Sequence, residues 1–91
     1  MFGDETKTAD RTEQALQELV EYVARGLVTK PDDVNVTQSQ KGEMIVYEVR
    51  VADDDKGRVI GKNGRTAKAM RAIIGAAATK ADKKATVEII D

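Results

Sequence analysis

Residues 59–68 read VIGKNGRTAK: an apolar pair, two glycines three apart around a lysine and an asparagine, then the start of an Ala-rich run. What lies on either side of this loop fixes its chemistry. Ahead of it, Lys56-Gly57-Arg58-Val59-Ile60 follows Asp53-Asp54-Asp55. Acidic residues favour a helix start, and Gly61 is a natural stop. Behind it, Ala67, Met70, Ile74, Ala77, Ala78 and Ala81 recur on one side of a helix running to about residue 80. The glycine stretch is therefore predicted to join two helices.

That placement bears on what the loop could hold. A P-loop requires G-x-x-x-x-G-K-[ST] and a dinucleotide site G-x-G-x-x-G, each following a strand. Here the glycines fall at 57, 61 and 64, Lys62 precedes Asn63 rather than Ser or Thr, and the preceding element is helical. A nucleotide loop fits poorly. Two readings stay open on the residues alone: a plain connector between helices, and a clamp for a nucleic-acid backbone.

The rest of the chain supplies an α+β frame. Asp10-Arg11-Thr12-Glu13 has the form of a capping box. After it, Leu16, Leu19, Val20, Val23, Ala24 and Leu27 fall at helical spacing, predicting a helix over about 11–28. Pro31 biases Lys30 away from helical angles and ends it. Residues 34–37 alternate as a half-buried strand, Gln40–Glu43 turns on Gly42, and Ile45, Tyr47, Val49 and Val51 share one face of a second, antiparallel strand. Met44, Val46, Glu48 and Arg50 take the other face. Residues 84–90 close the chain as a third strand. The order helix-strand-strand-helix-helix-strand predicts a three-stranded sheet with helices packed on one face. We expect residues 1–10 to form a flexible tail and 11–91 a single domain.

Composition removes several classes of function. Ninety-one residues make one small domain, and 34% are charged. With no cysteine and no histidine, disulfides, thiolate metal sites and the commonest general base are absent. Consecutive carboxylates at Asp53–Asp55 point in different directions and make a poor cation cage. Neither an enzyme, a metal nor a cofactor is expected. No apolar run suits a membrane span or a signal peptide, so a cytoplasmic protein is expected. Net charge is −1, yet its distribution is lopsided: residues 1–55 carry six Lys/Arg against thirteen Asp/Glu, and residues 56–91 carry nine against three. Residues 56–71 hold six basic side chains and no acidic one. The positive charge gathers at the glycine loop.

The stretch Val59-Ile60-Gly61-Lys62-Asn63-Gly64-Arg65 resembles the V-I-G-x-x-G core of KH domains, whose G-x-x-G loop joins two helices and grips an RNA backbone. The order of elements looks like the type II KH arrangement over about residues 12–90. The short chain, the helix leading into Pro-Asp-Asp and the Ala-rich helix after the loop are similar to the small bacterial KhpA family. Gly61 and Gly64 would let the backbone approach, and Lys62, Asn63 and Arg65 would meet phosphates beside a helix start. Arg65, Lys68 and Arg71 continue along one helical flank, and Lys56, Arg58 and Ile60 complete the expected RNA-binding set. Ile60 and Val59 are apolar candidates for a groove wall, with Val59 read as core. The resemblance places bases between the loop-flanking helices and the second strand. No aromatic lies near the loop, so base discrimination is expected to be weak.

The outward side of the last helix carries Ala69, Ala72, Ile73 and Ala76 where a solvated helix would show Lys or Glu. The resemblance turns this strip toward a homodimer, or toward pairing with a larger Jag-type KH protein. It further implies an RNA chaperone or post-transcriptional regulator tied to cell shape and cell wall growth. The competing reading is a protein–protein module of KH-like fold that no longer binds RNA, favoured by the acidic pI of about 5.5.

Overall fold

The computed structural model describes residues 2–90, with side chains from Arg11 onward. Its elements are α1 (Phe2–Leu27), β1 (Asn35–Lys41), β2 (Met44–Arg50), α2 (Lys56–Ile60), α3 (Arg65–Lys80) and β3 (Lys84–Ile89). Short 3-10 turns at Pro31–Asp33, Asp53–Asp55 and Lys62–Gly64 link them. The flexible tail expected over residues 1–10 and the Asp10 half of the capping box lie outside the described side chains. Glu13 is not used as a capping residue. Its carboxylate accepts from Gln38 Nε2 at 2.7 Å and meets Lys83 Nζ at 3.5 Å, reaching across to the sheet.

The sheet order is β1-β2-β3, with β1 and β2 antiparallel and β2 and β3 parallel. A parallel pair cannot be closed by a hairpin, so the chain must cross over between β2 and β3. The crossover is α2, the glycine loop and α3. Thus the loop is suspended between two elements already anchored on the sheet.

Leu16, Val20 and Ala24 of α1 pack with Val36, Ile45, Tyr47 and Val49 of the sheet and with Met70, Ile74 and Ala78 of α3. Tyr47 is fully buried and donates its hydroxyl to the Glu13 carbonyl at 2.8 Å. Burial, with the Glu13 charge beside it, pushes the phenol up to about 12.

Three details depart from the sequence reading. The first strand runs through Gln38–Lys41, beyond its alternating segment, because ladder pairing with apolar β2 needs only its backbone. Val46 is buried although it sits on the sheet face away from the helices. Its row holds Ser39 and Thr86, and the diagonal Lys41–Glu88 ion pair at 3.9 Å passes over it. Ala81, expected on the buried side of the last helix, is exposed where α3 has ended.

Candidate nucleic-acid interface

The loop begins where α2 ends. Gly61 N–H bonds the Gly57 carbonyl at 2.8 Å, and Gly64 N–H bonds the Gly61 carbonyl at 3.0 Å, folding the four residues into one tight turn. Gly61, Asn63 and Gly64 all have positive φ, at 78°, 58° and 73°. Asparagine is among the few non-glycine residues that adopt this region readily, so the K-N pair suits the turn.

The two glycines meet different demands. A Cβ on Gly61 would strike Thr66 Cβ and lie 2.8 Å from Thr66 N, so Gly61 is required by close packing of the loop on α3. A Cβ on Gly64 would meet nothing within 4 Å. Gly64 needs glycine for its left-handed backbone alone, and the space in front of it is open. Because Gly64 is also the N-cap of α3, no capping side chain covers the first turn. The Gly64 and Arg65 N–H groups are taken by the Gly61 and Lys62 carbonyls, and the positive end of the α3 dipole lies beside that open space.

Cations surround the loop in two classes. Lys62, Arg65 and Lys68 are exposed and have no ion-pair partner among the described residues. Lys56 and Arg58 do have partners. Lys56 Nζ stands 3.0 Å from Asp53 Oδ1, and Arg58 Nε stands 3.5 Å from Asp55 Oδ1. Asp54 likewise takes Lys30 at 3.4 Å. Each member of the Asp triplet thus holds one cation.

Asp55 does more than start a helix. It is fully buried, and its carboxylate accepts Thr29 N–H at 3.1 Å, the Thr29 hydroxyl at 2.9 Å and Lys30 N–H at 3.1 Å. The expectation that it satisfies its own helix start is corrected: no side-chain cap bond forms there, and the carboxylate ties the α1–β1 connection to α2. The Thr29 backbone bond, followed by the other donors and Arg58, holds its pKa below the ordinary 3.8 against the cost of burial.

Ile60 is 39% exposed beside the loop and Val59 is wholly buried. The strand beside α2 is β3, and β2 is central with both edges paired. Arg71 stands two turns along α3 from Arg65, and its Nε donates to the Val87 carbonyl of β3 at 2.9 Å. That bond gave no signal in the sequence, because it depends on α3 lying along the β3 edge.

Ala69, Ala72, Ile73 and Ala76 are all exposed, Ile73 at 51%. They flank a narrow apolar cleft between α1 and α3 lined by Leu19, Val20, Val23, Met70, Ile73 and Ile74. Tyr22 of α1 is 79% exposed, on the helix that forms the other wall. Among the described residues, no helix is long and apolar enough to cross a membrane, and no group of three or more acidic side chains is placed to hold a metal.

Known proteins resemble this chain over most of its length. The family model of the KhpA/KhpB KH domain matches residues 17–89. RNA-binding protein KhpA of Clostridium perfringens is 51% identical over 75 residues, which span 82% of this chain and all of that protein. RNA-binding protein KhpA of Halalkalibacterium halodurans is 47% identical over 76 residues, 84% of this chain and all of that one. RNA-binding protein KhpA of Listeria monocytogenes is 41% identical over 76 residues, again across its full length. The glycine loop, the two helices that carry it and the mixed sheet beneath all fall within the matched span, and the chain belongs to the KhpA/KhpB KH-domain family.

Proposed function

We propose that this protein binds single-stranded RNA by clamping its phosphate backbone at Gly61-Lys62-Asn63-Gly64. The observation that carries the reading is the open space before Gly64 at the N-terminal end of α3, beside Lys62, Arg65 and Lys68, which have no ion-pair partner among the described residues. The names of the relatives support RNA as the ligand. A loop of this kind holds about four nucleotides. Neutralising two to four phosphates gives a slope of log K against log salt of about −1.4 to −2.8.

One such site binds weakly, so a second site on a partner raises affinity through effective concentration. The exposed strip Ala69, Ala72, Ile73 and Ala76 favours self-association through α3, since small residues let another helix come close. A homodimer then presents two loops to one RNA, as an RNA chaperone or post-transcriptional regulator would. A monomeric mass by light scattering at tens of micromolar would count against it.

Replacing Lys62 and Asn63 together by Asp tests the clamp, with circular dichroism as the control for folding. Loss of binding to single-stranded RNA is expected. Unchanged binding by the folded variant overturns the reading in favour of a KH-like protein–protein module.

A further inference from the structure

Arg71 carries an inference that rests on the clamp reading and goes beyond it. The main-chain groups of Ile90 face β2, because its N–H bonds the Val49 carbonyl at 2.9 Å. Alternation then turns Ala85, Val87 and Ile89 toward the outer edge of β3. α3 runs along that edge in the opposite sense. Gly75 lies opposite the Ala85 carbonyl, which a Cβ there would approach to 3.9 Å, and Arg71 bonds the Val87 carbonyl. The flank Arg65, Lys68, Arg71 therefore leads from the glycine loop down to the sheet edge. The span is about 9 Å along the helix.

The opposite edge of the sheet shows what capping alone requires. There Gln17 of α1 donates its amide to the Val36 carbonyl at 3.1 Å. A neutral donor suffices to cover an exposed edge carbonyl. Arg71 does the same with Nε, which fixes the plane of its guanidinium and leaves both Nη groups without a partner among the described residues. A held fork with two neighbouring donors matches a base edge with two neighbouring acceptors. Guanine offers O6 and N7, and cytosine O2 and N3; uracil and adenine alternate donor with acceptor.

We infer that Arg71 is a specificity-determining residue: anchored on β3, it reads a guanine or cytosine placed beyond the clamped backbone. Lys62, Arg65 and Lys68 supply sequence-independent attraction, and Arg71 supplies preference.

The test uses oligo-uridine and the same oligomer carrying one guanosine or one cytidine at successive positions. The wild type is expected to prefer one substituted oligomer about fivefold or more. Arg71→Lys keeps the charge and loses the fork; Arg71→Gln keeps an edge-capping amide and loses both. Each should reduce the preferred oligomer to that variant's own oligo-uridine level. A preference that survives both variants overturns the inference. So does an equal loss on every oligomer with a salt slope shallower by about 0.7, the signature of a phosphate contact. A thermal midpoint preserved in Arg71→Gln separates reading from edge capping. A wild type that binds all the oligomers alike defeats this inference and leaves the clamp standing. A wild type that binds none defeats the clamp itself.

Discussion

Two groups of cations flank the same loop, and they are not equivalent. On the α2 side, Lys56 and Arg58 are held by Asp53 and Asp55. On the α3 side, Lys62, Arg65 and Lys68 have no acidic partner among the described residues. On the clamp reading, an incoming phosphate would gain from the second group directly. With the first it would compete with a carboxylate already in place, so part of the Coulomb energy would be exchanged rather than gained. A count of basic residues around the loop overstates the charge it offers. The triplet Asp53-Asp54-Asp55 divides that charge into a structural share and a free share.

The largest effect that would break this comparison is charge reversal on the free side. Lys62→Asp with Asn63→Asp should abolish binding, whereas Lys56→Asp with Arg58→Asp should weaken it far less, as read by fluorescence anisotropy on one RNA. Equal losses would show that the ion pairs of α2 do not shield it.

The two glycines invite a similar contrast. Gly61→Ala forces a Cβ against Thr66 at positive φ and should cost about 1–3 kcal/mol of stability or more, seen in denaturant unfolding. Gly64→Ala meets no atom and pays only for its backbone, about 1 kcal/mol. Its methyl would project into the space assigned to RNA, so it should lose more affinity per unit of stability than other substitutions in the loop.

Smaller effects sharpen the division further. Arg65→Ala and Lys68→Ala should each make the salt slope shallower by about 0.7, one phosphate apiece. Lys56→Ala should leave the slope where it was.

How much of this was legible beforehand follows from range. The helix faces, the hairpin and the loop between two helices rest on periodicity and local punctuation, which sequence carries directly. Val59 was readable as core, whereas nothing local separated a core Ile60 from the exposed one observed. The parallel pairing of β3 with β2 was not, since nothing local distinguishes a parallel neighbour from an antiparallel one. The pairing of Lys56 and Arg58 is local, at i, i+3 from Asp53 and Asp55, but an acidic triplet suits a helix start equally well, so spacing alone does not assign it. The Arg71–Val87 bond joins residues 16 apart and the Asp55–Thr29 bonds residues 26 apart. Such contacts exist only once the sheet and helices have come together.

Asp55 gives the smallest and most selective prediction, because it appears only in acid. Its folded pKa is depressed, with Thr29 N–H the foremost cause. A depressed carboxylate stabilises the fold fully above its unfolded pKa, near 3.8, and loses that contribution as pH falls through the lower folded value. Asp55→Asn has no such titration. Its single amide oxygen replaces two carboxylate oxygens that together accept three bonds, and its amino group faces a donor, so the variant should be less stable at pH 7. Thermal midpoints of the two proteins should therefore converge below about pH 3.8, where the remaining carboxylates titrate in both and cancel in the difference. Parallel curves from pH 7 to pH 2.5 would show that Asp55 holds the α1–β1 connection by shape alone. If the curves converge, its charge maintains α2, and α2 in turn fixes where the glycine loop begins.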